Sequence, residues 1–213
     1  MTGLESLYPF LYDEADDGAA LLDDVRRSTE AKAAEIAGLR AALAERHGDG
    51  LVRCARAMAP RLRAGARLFC FGNGGSGTDA QQVAGLFAGP PRPLPAISLP
   101  HDVAALTALS NDVGFEQACA RRLAALAVRG DIAVGLSTSG GSGNLLRAFE
   151  EAARLGLLTV GFAGYDGGPM ARAGTVEHLF VVPSSSVHRI QEAQTTLYHV
   201  LWELTHRALD GAL

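Results

Sequence analysis

Residues 67–77 read RLFCFGNGGSG, an apolar run that passes directly into glycines and a serine. Such a run predicts a short strand buried on both faces, followed by a tight turn that opens a helix. Similar apolar runs occur at 96–99, 132–136, 158–162 and 178–182, and helical periodicity separates them. Strands that alternate with helices favour one parallel sheet covered by helices on both faces, so the predicted class is α/β.

The segments before and after the sheet are predicted to be helical. Apolar residues recur every three or four positions from residue 19 to about 46, which indicates an amphipathic helix. Gly48-Asp49-Gly50 predicts a break before a second helix at about 51–62, because glycine weakens a helix interior. A long last helix is predicted over about 187–209. We expect residues 1–20, which are acidic, to form a loosely held arm and residues 21–213 to form a single domain.

Composition excludes several classes of protein. The chain has 213 residues and a net charge of −4, with 19 basic against 23 acidic side chains, so it offers no basic surface for direct nucleic-acid binding. No apolar run reaches the roughly 18 residues of a membrane span, and the start lacks the pattern of a signal peptide, so a cytoplasmic location is expected. The three cysteines lack C-x-x-C spacing and are expected to be buried thiols.

Two loops rich in glycine and hydroxyl groups follow two of the predicted strands. The first, 72–77, matches G-x-G-x-x-G, but the next strand lacks the acidic residue that dinucleotide-binding folds use for the ribose. The second, 137–143, reads STSGGSG. Helix N-termini at the carboxyl edge of a parallel sheet offer free N–H groups, so the pair of loops predicts a phosphate-ester site. In the alternative interpretation, the same residues only make turns and cap helices.

Five motifs occur in a characteristic order along the chain. They are FGNGGS at 71–76, ND at 111–112, LSTSG at 136–140, GYDGG at 164–168 and RIQE at 189–192. In order and spacing they resemble the sugar isomerase (SIS) domain proteins of the phosphoheptose isomerase type, and the resemblance covers about residues 51–206. It implies a homotetramer with a five-stranded parallel sheet that isomerises sedoheptulose 7-phosphate. Some relatives have lost this chemistry and bind the replication initiator instead.

The resemblance also implies which residues contact the phosphorylated sugar. They are Asn73, Gly74, Gly75, Ser76, Asn111, Asp112, Ser137, Thr138, Ser139, Ser142 and Gln191. His199, eight residues after Gln191 in the last helix, is the implied catalytic residue. Residues at this spacing lie near one face of a helix.

The chain departs from the family pattern on the helix after the first loop. There the family carries a histidine and, one turn later, a glutamate base, and in some members these two and the Gln191 and His199 positions hold zinc. Here the two helix positions are Gln82 and Leu86. One imidazole and two amides are poor zinc ligands, so no metal cofactor is expected. Asp79, His101 and His188 are the candidates for a substitute base.

Three functions therefore stay open at this point. The first is a ketose-phosphate isomerase with altered catalytic residues, and the second is a non-catalytic sensor of a phosphorylated sugar. The third is an oligomeric scaffold that binds a protein partner. The missing glutamate argues against an ordinary isomerase, since a general base contributes substantially to proton transfer. The phosphate loops argue against a scaffold alone.

Overall fold

A computed structural model describes residues 18–213 of the chain. The predicted acidic arm lies almost entirely outside the described residues and stays a prediction. Contacts divide the chain between Leu39 and Arg40 into two units. The described part of the first unit is helical and its side chains are largely exposed, with local ion pairs such as that between Arg26 and Asp23, whose Nη2 and Oδ1 atoms are 3.2 Å apart.

Helix α1 runs without interruption from Gly18 to Arg63, so the predicted break at residues 48–50 is wrong. Contacts with the sheet in the second unit explain the difference. A Cβ at Gly50 would lie 3.4 Å from the ring of Phe180, and His47 Nε2 lies 2.8 Å from the carbonyl oxygen of Val181. This packing offsets the roughly 0.5–1 kcal/mol that each glycine costs in a helix interior.

Five parallel strands form one sheet in the order β2-β1-β3-β4-β5. The strands are β1 (Leu68–Gly72), β2 (Ala96–Ser98), β3 (Ile132–Ser137), β4 (Leu158–Gly164) and β5 (His178–Val182). Their predicted positions are confirmed to within two residues. The strand order reverses between β1 and β3, where Leu68 pairs with both Ala96 and Ile132. Such a reversal opens a crevice at the carboxyl ends of the strands.

Six further α-helices follow the strands or connect them. They are α2 (Gly75–Ala88), α3 (Val103–Asp112), α4 (Phe115–Leu126), α5 (Gly143–Leu155), α6 (Gly168–Arg172) and α7 (Val187–Leu209). A 3₁₀ turn, Leu99–His101, lies between β2 and α3. Helix α2 packs against α7, and α4 packs against α5. Because right-handed crossovers leave β1 and β3 in opposite directions across the sheet, these two pairs cover opposite faces.

Aromatic side chains fill the core on both faces of the sheet. Phe71 and Phe149 pack edge to face with their ring centroids 5.1 Å apart, and Gly135 leaves them room, since a Cβ there would lie 2.5 Å from the Phe149 ring. Phe162 packs against Phe180 and Tyr198. The three cysteines are buried and free, as predicted. Within residues 18–213, no helix is long and apolar enough to cross a membrane.

Candidate functional site

The first loop turns sharply between β1 and α2. Gly72 must be glycine, because a Cβ there would lie 2.2 Å from the carbonyl oxygen of Ser76. Gly74 has a φ of 53°, the left-handed region that glycine tolerates best. It occupies the N-cap position of α2 and has no side chain to cap the helix. The N-terminus of α2 therefore keeps N–H groups available for an anion.

The second loop gathers hydroxyl groups at the N-terminus of α5. Ser137 Oγ lies 3.2 Å from Ser142 Oγ and 3.5 Å from Ser139 Oγ. The Gly140 N–H donates to Ser137 Oγ, and the Gly141 N–H donates to Ser139 Oγ. Ser142 is the N-cap residue of α5, yet its side chain makes no capping hydrogen bond. The interpretation that these serines only cap the helix therefore does not describe Ser142.

A pair of asparagines joins the two loops. Asn73 Nδ2 donates to Asn144 Oδ1, and Asn144 Nδ2 donates to Asn73 Oδ1, both over 2.8 Å. They border a cavity of about 290 Å³, here called the cleft. Its walls are Gly72, Asn73, Gly74, Gly77, Thr78, Pro100, His101, Leu106, Phe115, Cys119 and Asn144. The cleft thus lies at the strand-order reversal, beside both helix N-termini.

The GYDGG motif at 164–168 packs against the backbone of the second loop, residues 137–143, here called the serine loop. A Cβ at Gly140 would lie 2.1 Å from the carbonyl oxygen of Gly167, and a Cβ at Gly168 would lie 2.4 Å from that of Ser139. The Met170 N–H donates to the Gly140 carbonyl over 2.9 Å. Two backbone segments are therefore in direct contact, which only glycine allows. The sequence predicts no structural role for this motif beyond the family resemblance.

A second polar group of residues ties α2 to α7. Gln191 Nε2 donates to Asp79 Oδ2 over 3.3 Å, and the Tyr198 hydroxyl donates to Gln82 Oε1 over 2.7 Å. Burial raises the pKa of Asp79, although hydrogen bonds from Gln191 and Tyr198 oppose the change. Burial also raises the pKa of Tyr198 to about 12. These groups hold one another between the two helices.

The structure brings Gln191 to the first loop but keeps His199 apart from the cleft. A Cβ at Gly75 would lie 2.4 Å from Gln191 Nε2, so this amide rests on the start of α2. His199 Nδ1 donates to the Thr195 carbonyl over 2.8 Å, and its ring stacks on Tyr198. His199 is not among the residues that line the cleft.

Other predicted residues lie at different places. Gln82 and Leu86 line a separate open cavity with Trp202. Asn111 and Asp112 are exposed at the end of α3, where the Asn111 amide donates to the Asp112 carboxylate over 3.0 Å. Ser76 is buried, Thr138 is half-buried, and Ser139 is exposed.

Of the three candidates for a substitute base, only His101 lines the cleft, while His188 is exposed at the start of α7. Asn144 was missed by sequence reasoning. The sequence feature that could have identified it is a polar residue in the first turn of a helix, immediately after residues 137–143.

The four positions that hold zinc in some SIS proteins do not fit a metal in this chain. Gln82 Oε1 accepts from Tyr198, Gln191 Nε2 donates to Asp79, and Leu86 has no ligand atom. His199 alone is a common zinc ligand. Among residues 18–213, no group of three or more His, Cys, Asp or Glu side chains is placed to hold a metal ion.

These features define an open α/β protein with a ligand cleft at the switch point of a parallel sheet. The chain belongs to the SIS domain family, whose model matches residues 33–164. Among its relatives is the phosphoheptose isomerase of Aquifex aeolicus, 43% identical over 80% of this chain and 90% of that protein. The phosphoheptose isomerase of Halorhodospira halophila is 39% identical over 78% and 87% of the two chains.

A solved structure supports the same family. The phosphoheptose isomerase of Neisseria gonorrhoeae superposes with a TM-score of 0.80 at 32% identity, over 85% of this chain and 98% of that one. The predicted fold and the predicted family are therefore confirmed, and the chain is a phosphoheptose isomerase-like SIS protein.

Proposed function

We propose that this protein binds a phosphorylated ketose of the sedoheptulose 7-phosphate kind, with the phosphate on the serine loop and the sugar chain in the cleft. The observation that carries the proposal is the hydroxyl cluster of Ser137, Ser139 and Ser142 at an α5 N-terminus that no side chain caps. The relatives are phosphoheptose isomerases, which supports a phosphorylated heptose as the sugar.

The chemistry of the loops suits a phosphate ester held by neutral donors. The serine loop offers the anion hydroxyl groups, backbone N–H groups and the positive end of the α5 dipole. In this structure the serine hydroxyls accept from backbone N–H groups and contact one another. A hydroxyl group rotates freely, so each can turn its proton toward a bound phosphate oxygen.

Gln82 and Leu86 limit what the protein does with the sugar. Neither side chain takes up or releases a proton, so the proton transfers of an isomerase cannot occur there. No comparison supports the scaffold function. Oligomerisation and a cytoplasmic location stay predictions.

Calorimetry with sedoheptulose 7-phosphate tests this proposal. Ser139→Ala removes one hydroxyl donor and should weaken binding by about 0.5–1.5 kcal/mol, or up to about 3 kcal/mol if the phosphate charge strengthens the hydrogen bond. Ser28→Ala, at an exposed α1 serine outside both loops, is the matched control and should bind like the parent. Sedoheptulose without its phosphate should not bind measurably. Equal affinity of parent and Ser139→Ala would show that the phosphate lies elsewhere.

A further inference from the structure

The cleft has two titratable side chains in its walls, His101 and Cys119. Cys119 is buried, and burial raises the pKa of its thiol to about 11. It therefore stays a neutral thiol in ordinary buffers. His101 is exposed and belongs to the 3₁₀ turn after β2, at the same edge of the sheet as the two loops. Imidazole is the side chain best suited to proton transfer near neutral pH.

The structure holds the His101 turn in place from both sides. Ser98 Oγ lies 2.9 Å from His101 Nδ1, which leaves Nε2 as the ring nitrogen available to a ligand. The next residue, Asp102, caps α3 by accepting from the Ala105 N–H and forms an ion pair with Arg122. Arg122 also donates to the Leu99 carbonyl in the same turn. The imidazole is therefore carried by an anchored segment.

The other candidates for a base are occupied by structural contacts or lie outside the cleft. Asp79 Oδ2 accepts from Gln191 Nε2, and Asp79 Oδ1 lies 3.5 Å from the Tyr198 hydroxyl oxygen, on the side of the carboxylate that faces α7. His199 donates through Nδ1 within its own helix and is absent from the walls of the cleft. His188 is exposed and also lies outside the cleft.

We propose that His101 is the proton-transfer group of the cleft and acts through Nε2 on the bound ketose phosphate. This inference rests on the proposed function, since it needs the sugar chain to lie in the cleft. The proposal places the proton-transfer group on the turn after β2. The positions at which the family carries its histidine and glutamate, Gln82 and Leu86 here, lie on α2 instead.

The proposed step conserves atoms and electrons. Nε2 takes a proton from C1 of the ketose, the C–H electron pair forms the C1–C2 double bond, and the carbonyl electron pair moves to O2. The imidazolium then returns a proton to C2, and the C1–O1 carbonyl forms as the O1 proton is lost. O2 gains a proton, so the product is the aldose isomer. Nothing is oxidised or reduced overall, and no co-reactant is consumed.

Deuterium exchange tests the step even where net turnover is slow. The parent is incubated with sedoheptulose 7-phosphate in D₂O, and deuterium at C1 is followed by NMR. His101→Gln should lower the exchange rate by about 10²-fold or more, the usual contribution of a general base. His188→Gln is the matched control, at an exposed histidine outside the cleft, and should exchange like the parent. In His101→Ala, added imidazole should restore part of the exchange, which a purely structural residue would not allow.

Binding of the same sugar phosphate, measured by calorimetry on each variant, separates the two proposals. Parent protein that binds but does not exchange would overturn the role of His101 and leave the proposed function intact. Exchange in His101→Gln within about threefold of the parent would also overturn it. Parent protein that does not bind would reject the proposed function itself. Unchanged affinity in His101→Gln together with lost exchange is the expected result.

Discussion

Gln82 and Leu86 change what α2 contributes to this molecule. The SIS family pattern has a histidine at the position of Gln82. In this chain the Gln82 amide oxygen accepts a hydrogen bond from Tyr198 and so links α2 to α7. Leu86 is half-buried beside Trp202 in a cavity outside the cleft. Neither residue supplies a titratable group, so proton transfer needs a group elsewhere.

Asp79 gives the folded protein a pH-dependent stability. Burial raises its pKa, so the folded state binds this proton more tightly than the unfolded chain does. The associated stability is present at acidic pH and is lost as pH rises from the ordinary carboxyl range through the raised pKa. Asp79→Asn removes this titration. We expect the variant and the parent to have similar Tm values at acidic pH, and the variant to have the higher Tm at neutral pH.

Thermal unfolding at both pH values measures this difference. Asp49→Asn, which removes an exposed carboxylate of α1, is the matched control for the change from carboxylate to amide. If Asp79→Asn instead lowers Tm more at neutral than at acidic pH, the charged carboxylate stabilises the fold through its hydrogen bonds with Gln191 and Tyr198.

Helix α1 shows how tertiary contacts override a local sequence signal. Gly48 and Gly50 lower helix propensity, and sequence alone places a break there. The structure keeps the helix intact because Gly50 packs against Phe180, and because Leu51, Cys54 and Ala55 are buried. Helix propensity is a property of the neighbouring residues, whereas the contact with β5 depends on a segment more than a hundred residues further along the chain.

A glycine substitution tests the continuity of α1. No atom outside the helix lies within 4 Å of a Cβ built at Gly48. Gly48→Ala should therefore raise the free energy of unfolding by about 0.5–1 kcal/mol, as alanine does in a helix interior. Gly65→Ala is the contrasting control, because Gly65 has a φ of 88° and alanine should destabilise the protein there. Denaturant titration measures both. Destabilisation by Gly48→Ala would favour a broken helix.

The positions of the strands and of α7 could be predicted from the sequence, whereas the contacts within the site could not. An apolar run flanked by glycine or serine identifies a buried parallel strand from its own residues. The contact of Gln191 with Gly75, and of Gly140 with Gly167, joins distant segments and depends on their backbone geometry. The place of His101 depends likewise on a 3₁₀ turn that no periodic pattern marks.

Exposed apolar surface predicts that the whole molecule associates with copies of itself. Helix α3 has no buried residue, although Val103, Leu106 and Leu109 make it largely apolar, and Val103 is 65% exposed. Phe115, at the start of α4, is 47% exposed. Patches of this kind usually mark interaction sites. The family resemblance implies four chains, so we expect a homotetramer.

Light scattering at micromolar concentration checks this expectation. The mass should be four times the 22.2 kDa of one chain. Val103→Asp, which places a charge on α3, should lower the mass of the assembly. Thr107→Asp, at an exposed residue of the same helix that is already polar, is the comparison variant. A monomer in the parent would contradict the prediction.

The reciprocal amide pair of Asn73 and Asn144 makes the two loops interdependent. If one amide turned over by itself, oxygen would face oxygen and nitrogen would face nitrogen, and both hydrogen bonds of 2.8 Å would be lost. If both turned together, the pair would be satisfied again. The amides therefore have two allowed joint orientations, and a group that fixes one of them fixes the other. A ligand that hydrogen-bonds to either amide therefore sets the orientation of both. The loop after β1 and the helix after β3 then present a matched arrangement of donor and acceptor to that ligand.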